Sequence, residues 1–353
     1  MKRFIQLHLL TFYPPSNTNR DDTGQPKTAI IGGANRLRQS SQSLKRAWRT
    51  SETFASKLEG HRGNRTQRLG SLIESHLAGK GFSAEKAREI AREIAGIFGK
   101  IKAETDNNPS YTEQLVFVSP EEREAALAYA EKRCNGEKAS DKKSDLVSLL
   151  LRKTDTAADI AMFGRMLADS PDFNREAAVQ VAHAFTTHKV TVDDDYYTAV
   201  DDLKKKSEDA GAGFIGETGF GSGVYYLYIN IDRALLLKNL GGDADVAKKA
   251  VEALVEAAAT VGPRGKSASF ASFARTHFVL AEAGDAAPRT LSAAFETPVS
   301  DRGGHLESSV SRLVELRRNF AKAYGEDTMA RIMDVAKGDG SLTDIIAFAT
   351  AGL

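Results

Sequence analysis

The chain has 353 residues, of which 41% are hydrophobic and 27% charged, and its formal net charge is +1. These values are typical of an ordinary soluble globular protein with room for roughly two or three lobes. The single cysteine, Cys134, excludes an intrachain disulfide, and no cysteine–histidine cluster has the spacing of a zinc site. No apolar stretch approaches membrane-spanning length, so the sequence predicts a cytoplasmic protein without a membrane partner.

The N-terminal stretch, MKRFIQLHLLTFYPP, predicts a buried first strand with Ile5, Leu7 and Leu9 on one face. A signal peptide is the alternative. However, Gln6 and His8 interrupt the apolar run, and no small-residue cleavage site follows.

A polar loop over 14–27 and a turn at Gly32–Gly33 lead into a basic stretch. Between Asp22 and Glu52 the chain has no acidic residue, and its charged residues there are Lys27, Arg36, Arg38, Lys45, Arg46 and Arg49. A solvated surface normally mixes both signs, so a run of one sign indicates an anionic partner. The alternative is an exposed basic helix face that binds nothing.

A helix is predicted to begin at Ser41 or Ser43, either of which can cap its start, with Leu44, Trp48, Ala55 and Leu58 as its apolar stripe. The basic side chains of this helix lie off that stripe. A helix N-terminus also offers free N–H groups and the positive end of the helix dipole. Basic side chains, serine hydroxyls and an amide at a helix start together predict a site for a phosphate backbone, formed by Arg38, Ser40, Gln42, Ser43, Lys45, Arg46 and Arg49.

Residues 59 to about 175 are helical and mixed in charge, which predicts an insertion with its own small core. One helix covers 83–101 and another covers 142–153. Between them, Ser119 is predicted to cap a helix in which Pro120 takes the first turn and Glu122 completes a capping box.

Strand patterns return at 224–231 and 276–283, and helix patterns cover 245–261 and 309–325. The pattern at 178–190 fits a buried strand or a helix, and its β-branched end favours a strand. This order predicts an α+β sandwich with helices on one face of an antiparallel sheet. The polar segment 191–223 is predicted to be flexible.

The glycines of that segment superficially resemble a nucleotide-binding loop. A dinucleotide fingerprint follows a strand and opens a helix, whereas this run precedes a strand, so a flexible hairpin is favoured. Within it, Phe214 and Ile215 are apolar residues in a polar loop. These two side chains form either a small local contact or a wedge that inserts against a flat group of a partner.

Histidines and carboxylates supply two candidate sites for metal or acid–base chemistry. His183 and His188 lie near a run of aspartates, but their spacing matches no metal pattern, so a structural role is favoured. Asp21 and Asp22 either bind a divalent ion or cap their own loop. The sequence shows no convincing catalytic constellation, and a non-catalytic protein without metal or cofactor is predicted.

Six blocks of the chain resemble, in order, the CasC family, whose members form the backbone of the type I-E CRISPR surveillance complex Cascade. The blocks are NRDD, SSQSLKRAWR, DIAMFGRM, AHAFTTHKV, YTAVDDL and FGSGVYYLYINI. The resemblance spans residues 1 to about 275 and is weak across 59–140 and after Arg275.

The resemblance implies an α+β protein with an RRM-like (ferredoxin-like) palm, a helical finger insertion and a flexible thumb loop. It places the palm at 1–58 and 179–353, the finger at 59–178 and the thumb at about 191–223. Copies of such a subunit line up head-to-tail along a guide RNA. The implied partners are crRNA, target DNA, further copies of the chain and other Cascade subunits.

The resemblance also implies roles for particular residues. The palm groups that hold guide phosphates correspond to Arg20, Lys27, Ser40, Gln42, Lys45, Arg46 and Arg49. Met166 corresponds to an apolar side chain placed against the bases, and Phe214 with Ile215 to the thumb tip that flips a base out of the stack. Lys142 and Lys143 correspond to finger lysines that touch DNA; otherwise they belong to a solvated helix face.

Two other functions remain open. Related backbone subunits of type III complexes cut RNA with a loop aspartate, for which Asp21 or Asp22 is the candidate. A general single-strand RNA-binding protein without Cascade partners is the second alternative.

Overall fold

The computed structural model describes residues 1–138, 143–167, 169–199, 214–300 and 302–353, without the side chains of Lys143, Phe214 and Ile215. The strands are β1 (Phe4–Ser16), β2 (Thr28–Ile31), β3 (Ala34–Gln39), β4 (Asn64–Thr66), β5 (Val116–Val118), β6 (Val179–Val181), β7 (Ala184–Thr186), β8 (Asp193–Ala199), β9 (Phe214–Asp232), β10 (Phe278–Gly284) and β11 (Met329–Asp334).

The α-helices follow the same chain order. They are α1 (Ser41–Arg49), α2 (Glu52–Lys57), α3 (Leu69–Gly79), α4 (Ala84–Phe98), α5 (Pro120–Cys134), α6 (Lys143–Leu150), α7 (Ala158–Phe163), α8 (Arg233–Asn239), α9 (Ala244–Thr260), α10 (Ser267–Phe270), α11 (His305–Tyr324) and α12 (Leu342–Thr350). Two 3₁₀ turns cover Pro171–Phe173 and Ser292–Phe295. No helix in the described ranges is both long enough and apolar enough to cross a membrane.

The chain divides into two compact units. The first contains 1–53, 181–230 and 254–352, and the second contains 54–180 and 231–253 together with the last residue. The division into palm, finger and thumb remains a prediction.

A nine-stranded sheet has the path β11-β10-β1-β9-β7-β3-β2, with β6 and β8 also paired to β9. The pairs β1–β10, β10–β11, β2–β3, β3–β7, β7–β9 and β8–β9 are antiparallel. The predicted mixed α+β fold with an antiparallel sheet is therefore confirmed.

The predicted first strand is present as β1, but its polar residues are not on an exposed face. Gln6 and His8 are as buried as Ile5 and Leu7. Every residue of β10 is buried too. Successive side chains of a strand point to opposite faces, so β1 and β10 are covered on both sides. The sequence predicted helices on one face of the sheet, whereas these two strands are buried on both faces.

In the first unit, one face of the sheet packs on α11. Leu10, Tyr226, Phe278 and Leu280 pack with Leu313 and with residues of the 3₁₀ turn at 292–295 in one apolar cluster. Burial of such a cluster is the main favourable term for this half of the chain.

The second unit has a separate apolar cluster between α3, α4, α5 and α6. Helix α4 contributes Ile90, Ile94 and Ile97 at helical spacing, as the sequence predicted. The predicted capping box of α5 is confirmed, because the Ser119 side chain accepts from the Glu122 N–H and the Glu122 carboxylate accepts from the Ser119 N–H.

Candidate nucleic-acid interface

The basic stretch begins on a hairpin. The sequence predicted the turn of this hairpin but not its two strands. Strands β2 and β3 pair across Gly32 and Gly33, whose φ values are 56° and 71°. Two consecutive positive φ values are what a tight two-residue hairpin turn requires. A side chain at Gly32 would also overlap the carbonyl oxygen of Glu296. The hairpin places Arg36 and Arg38 on the same face of β3.

Arg36 is buried and does not reach the surface, which corrects its assignment to an exposed basic run. Its side chain is 0% exposed, and its guanidinium donates to the Thr186 carbonyl at 2.8 Å and to the Phe295 carbonyl at 3.0 Å. Arg36 therefore joins β3, β7 and the 3₁₀ turn at 292–295, and its charge does not contribute to the exposed basic surface.

Helix α1 begins at Ser41, one of the two predicted starts, but the residue that caps it is Ser40. Ser40 is the N-cap, since its hydroxyl accepts from the Ser43 N–H at 3.3 Å, while its own N–H donates to Asn19 Oδ1 at 2.7 Å. The sequence had placed the cap at Ser41 or Ser43. The first turn contains no acidic residue, so nothing on the helix itself offsets the positive end of its dipole.

The predicted helix over 41–58 is interrupted. Helix α1 ends at Arg49, and the Thr50 side chain donates to the Arg46 carbonyl at 2.9 Å. Buried Trp48 fixes the last turn by donating from Nε1 to the Val261 carbonyl at 3.1 Å. Gln42 and Arg46 are exposed, and Ser43, Lys45 and Arg49 are half-buried.

The loop over 17–27 is held by Asp21, which caps it. The Asp21 Oδ1 atom accepts from Thr23 Oγ1 at 2.8 Å, from the Thr23 N–H at 3.0 Å and from the Gln25 N–H at 3.0 Å. These hydrogen bonds, led by the Thr23 hydroxyl, lower the pKa of Asp21. Arg20 is exposed on this loop. No group of three or more His, Cys, Asp or Glu residues that could hold a metal ion occurs among the residues that the structure describes.

Lys27, Arg38, Lys45 and His183 form a group that we call the cationic cluster. Arg38 Nη1 lies 2.6 Å from His183 Nδ1. Burial, followed by the positive charges of Arg38, Lys27 and Lys45, lowers the pKa of His183. The neutral imidazole therefore accepts the hydrogen bond from Arg38, and the cluster collects groups from a loop, from β3, from α1 and from the segment between β6 and β7.

The sequence interpretation missed His183 as a member of this site. His183 is distant in sequence from the basic stretch. The pairing of β3 with β7, in which Arg38 lies opposite Phe185, brings the segment after β6 beside β3. His188, by contrast, has the structural role that was predicted. Its Nδ1 bonds to the Lys189 carbonyl at 3.0 Å, and its Nε2 accepts from the Val224 N–H at 3.2 Å.

Met166 belongs to the second unit, where its side chain is 84% exposed. Its neighbour Arg165 is buried and pairs with the Glu122 carboxylate, while Arg175 pairs with both oxygens of Asp155 at 2.7 and 2.8 Å. Backbone bonds between Arg165 and Arg175 join these two ion pairs. The buried ion pairs of Arg165 and Arg175 therefore anchor the segment from which the side chain of Met166 projects into solvent.

The glycines predicted to lie in a flexible thumb loop lie in a strand wherever the structure describes them. Strand β9 begins at Phe214, and Thr198 pairs with Ile215 across the β8–β9 ladder. The side chains of Phe214 and Ile215, and residues 200–213, lie outside the described part of the chain. Lys142 also lies outside it, and Lys143 is described only as the first residue of α6.

These features define a mixed α+β protein whose basic groups converge on an exposed surface with a helix N-terminus. The chain belongs to the family of CT1975-like proteins, whose model matches residues 5–346, and its resemblance to the CasC backbone subunits is confirmed. No match was found among curated proteins.

Two solved structures are similar over the whole chain. A chain of a "CRISPR RNA-guided surveillance complex, pre-nicking" is 29% identical, with a TM-score of 0.87, and the match covers 99% of this chain and 100% of that one. A chain of a "CRISPR RNA-guided surveillance complex" is 26% identical, with a TM-score of 0.76 and the same coverage.

Proposed function

We propose that this chain is a crRNA-binding backbone subunit of a type I-E CRISPR surveillance complex. The observation that carries the proposal is the cationic cluster beside the N-terminus of α1. Membership of the CT1975-like family and the similarity to chains of CRISPR RNA-guided surveillance complexes support it.

The groups at this surface suit phosphates better than bases. Lysine and arginine side chains and helix N-termini bind phosphate oxygens without sequence information, and they fix the position of a nucleic acid. A subunit that holds the guide in this way leaves base reading to Watson–Crick pairing. Copies aligned head-to-tail would repeat the same phosphate contacts along the RNA.

The test is purification of the tagged chain from cells that express a CRISPR array and the other complex subunits. The proposal expects RNA of uniform length, together with several copies of the chain and other subunits. Heterogeneous RNA without those subunits would favour a general single-strand RNA-binding protein and would contradict the proposal.

Two apolar positions are proposed to shape the guide within an RRM-like palm and a thumb. The 84% exposed Met166 would lie against bases, and Phe214 with Ile215 would displace a base at regular intervals. Chemical probing of the bound guide should show a periodic reactive base. Replacing Phe214 and Ile215 by Ser should abolish that period, and a persistent period would place the wedge elsewhere.

We further propose that the chain is not a nuclease. The family resemblance supports this, as does the use of Asp21 as a loop cap. Incubation with labelled RNA and Mg²⁺ tests it: cleavage that disappears in Asp22→Ala would overturn the proposal in favour of a type III-like activity.

Target DNA is the remaining proposed partner, and Lys142 and Lys143 are proposed to contact it. The proposed location is the cytoplasm, where the guide meets invading DNA. Replacing both lysines by Ala should weaken DNA binding by the assembled complex while its RNA content stays unchanged. Equal DNA affinity would remove them from the interface.

A further inference from the structure

A second stretch of the chain has positive charge and no acidic residue. Between Glu256 and Glu282 there is no Asp or Glu, and the basic residues there are Arg264, Lys266 and Arg275. Phe270 and Phe273 are interleaved with them. Basic residues combined with aromatic rings are the composition of surfaces that bind single-stranded nucleic acid. We call residues 262–276 the basic–aromatic loop.

This loop lies directly against the loop that carries Arg20. A side chain at Gly265 would overlap the carbonyl oxygens of Asn17 and Thr18, so only glycine allows this close approach. The basic–aromatic loop therefore borders the proposed phosphate-binding surface within the first unit.

Its position is fixed by contacts on both sides of Phe273. The ring of Phe270 packs on that of Phe220, with 5.8 Å between centroids. The Thr276 N–H donates to the Ala259 carbonyl at 2.8 Å, and the Thr276 hydroxyl lies 3.0 Å from that of Thr11. The loop therefore presents its outer residues from a fixed base.

Backbone strain singles out the same loop. Lys266 has φ 51° and Ala271 has φ 48°, and these are the non-glycine residues with positive φ in the part of the chain that the structure describes. Left-handed conformations cost energy for residues with a Cβ, and they persist at functional sites where the surroundings enforce them.

The strained loop leaves Phe273 outside the core. Its side chain is 79% exposed, while adjacent Ser272 is 6% exposed, the reverse of what apolar burial favours. Arg264 and Arg275 are exposed on the same loop, and neither forms an ion pair within the described ranges. A loop that exposes one aromatic ring and two guanidinium groups without ion pairs favours a partner with flat rings and negative charge over a protein surface of mixed sign.

We propose that the basic–aromatic loop is a second contact for single-stranded RNA, in which Phe273 stacks on a base and Arg264 and Arg275 hold neighbouring phosphates. This inference rests on the proposed function, because it extends the RNA path from the cationic cluster to the basic–aromatic loop, which lies against the 17–27 loop.

The test measures binding of the full chain to a fluorescent single-stranded RNA oligonucleotide. Phe273→Ala should weaken binding roughly 5- to 140-fold, the range for loss of one stacked base, and Phe273→Trp should restore it. Arg264→Ala and Arg275→Ala should each lower the salt slope by about 0.7. Tyr324→Ala, at another exposed aromatic residue, is the matched control and should change nothing. Thermal unfolding shows that each variant is folded.

The possible failures are distinguishable. If Lys45→Ala weakens binding and Phe273→Ala does not, the loop proposal is overturned and the proposed function stands. If Phe273→Ala leaves RNA affinity intact and only prevents association between RNA-bound copies, the loop contacts protein and the proposal is again overturned. A wild-type chain that binds no RNA would overturn both.

Discussion

Arg38 Nη1 and His183 Nδ1 lie 2.6 Å apart, so two side chains that could both be cationic share one hydrogen bond. The bond requires a neutral imidazole, because only an unprotonated ring nitrogen accepts from a guanidinium. Burial and the charges of Arg38, Lys27 and Lys45 favour that neutral form. An anion bound at the cluster would offset those charges and raise the pKa of His183.

RNA binding should therefore take up a proton at His183. In the free protein, NMR titration should give His183 a pKa below its ordinary value of 6.5, and the pKa should rise when RNA is bound. Because the bound form holds the proton more tightly, affinity should increase as the pH falls through this range. His183→Gln should remove that increase, and an identical pH profile in the variant would contradict the assignment.

Lys45 should contribute to affinity without sequence preference. Removing one phosphate contact to a single strand lowers the slope of log affinity against log salt by about 0.7. We expect this change in Lys45→Ala, and again in Arg49→Ala, on RNAs of different sequence. The matched control is Lys322→Ala, an exposed lysine at the end of α11. A weakening confined to one RNA sequence would indicate base reading instead.

Arg36 should matter for stability and Arg38 should not, although they are two residues apart on β3. Lysine cannot reproduce the fork that bonds Arg36 to both the Thr186 and Phe295 carbonyls. Leaving a buried carbonyl unpaired costs about 1–3 kcal/mol, so Arg36→Lys should lower the free energy of unfolding by that amount. Arg38→Lys should be nearly neutral. Urea denaturation compares them, and equal losses would refute the distinction.

Acid should destabilise the first unit through His8 and Glu282, which are both buried. His8 Nε2 lies 3.2 Å from Glu282 Oε2. Burial lowers the pKa of His8 below its ordinary 6.5, so its neutral form stabilises the fold above pH 6.5 and that stability is lost as the pH falls further. Burial would raise the pKa of Glu282, but hydrogen bonds from His8, Arg289 and Arg317 outweigh it and lower the pKa, so its contribution is lost only below about pH 4.5.

The measurement is the free energy of unfolding against pH for the wild type and for His8→Gln. The wild type should lose stability between pH 7 and 5 with a slope of up to about 1.4 kcal/mol per pH unit from this one histidine. The variant should lack that part of the slope, whatever its absolute stability. Equal slopes would show that His8 is not the group that titrates.

Features that depend on near neighbours in the chain were predicted from sequence. The capping box at Ser119, the helical period of α4 and the double-glycine turn at Gly32–Gly33 each require only residues a few positions apart. The six ordered motif blocks likewise predicted the family, because such blocks are read directly from the order of residues.

Tertiary contacts decided which residues of the basic stretch face solvent. Arg36 and Arg38 are equivalent in sequence terms, yet the 3₁₀ turn at 292–295 covers Arg36 and leaves Arg38 beside His183. Both partners lie more than 140 residues along the chain. The same applies to the end of α1, where Trp48 bonds to the Val261 carbonyl. Local propensity gives no information about which distant segment packs on a strand, so the burial of Arg36 and the pairing of Arg38 with His183 follow from the packing of β7 and of the turn at 292–295 on β3.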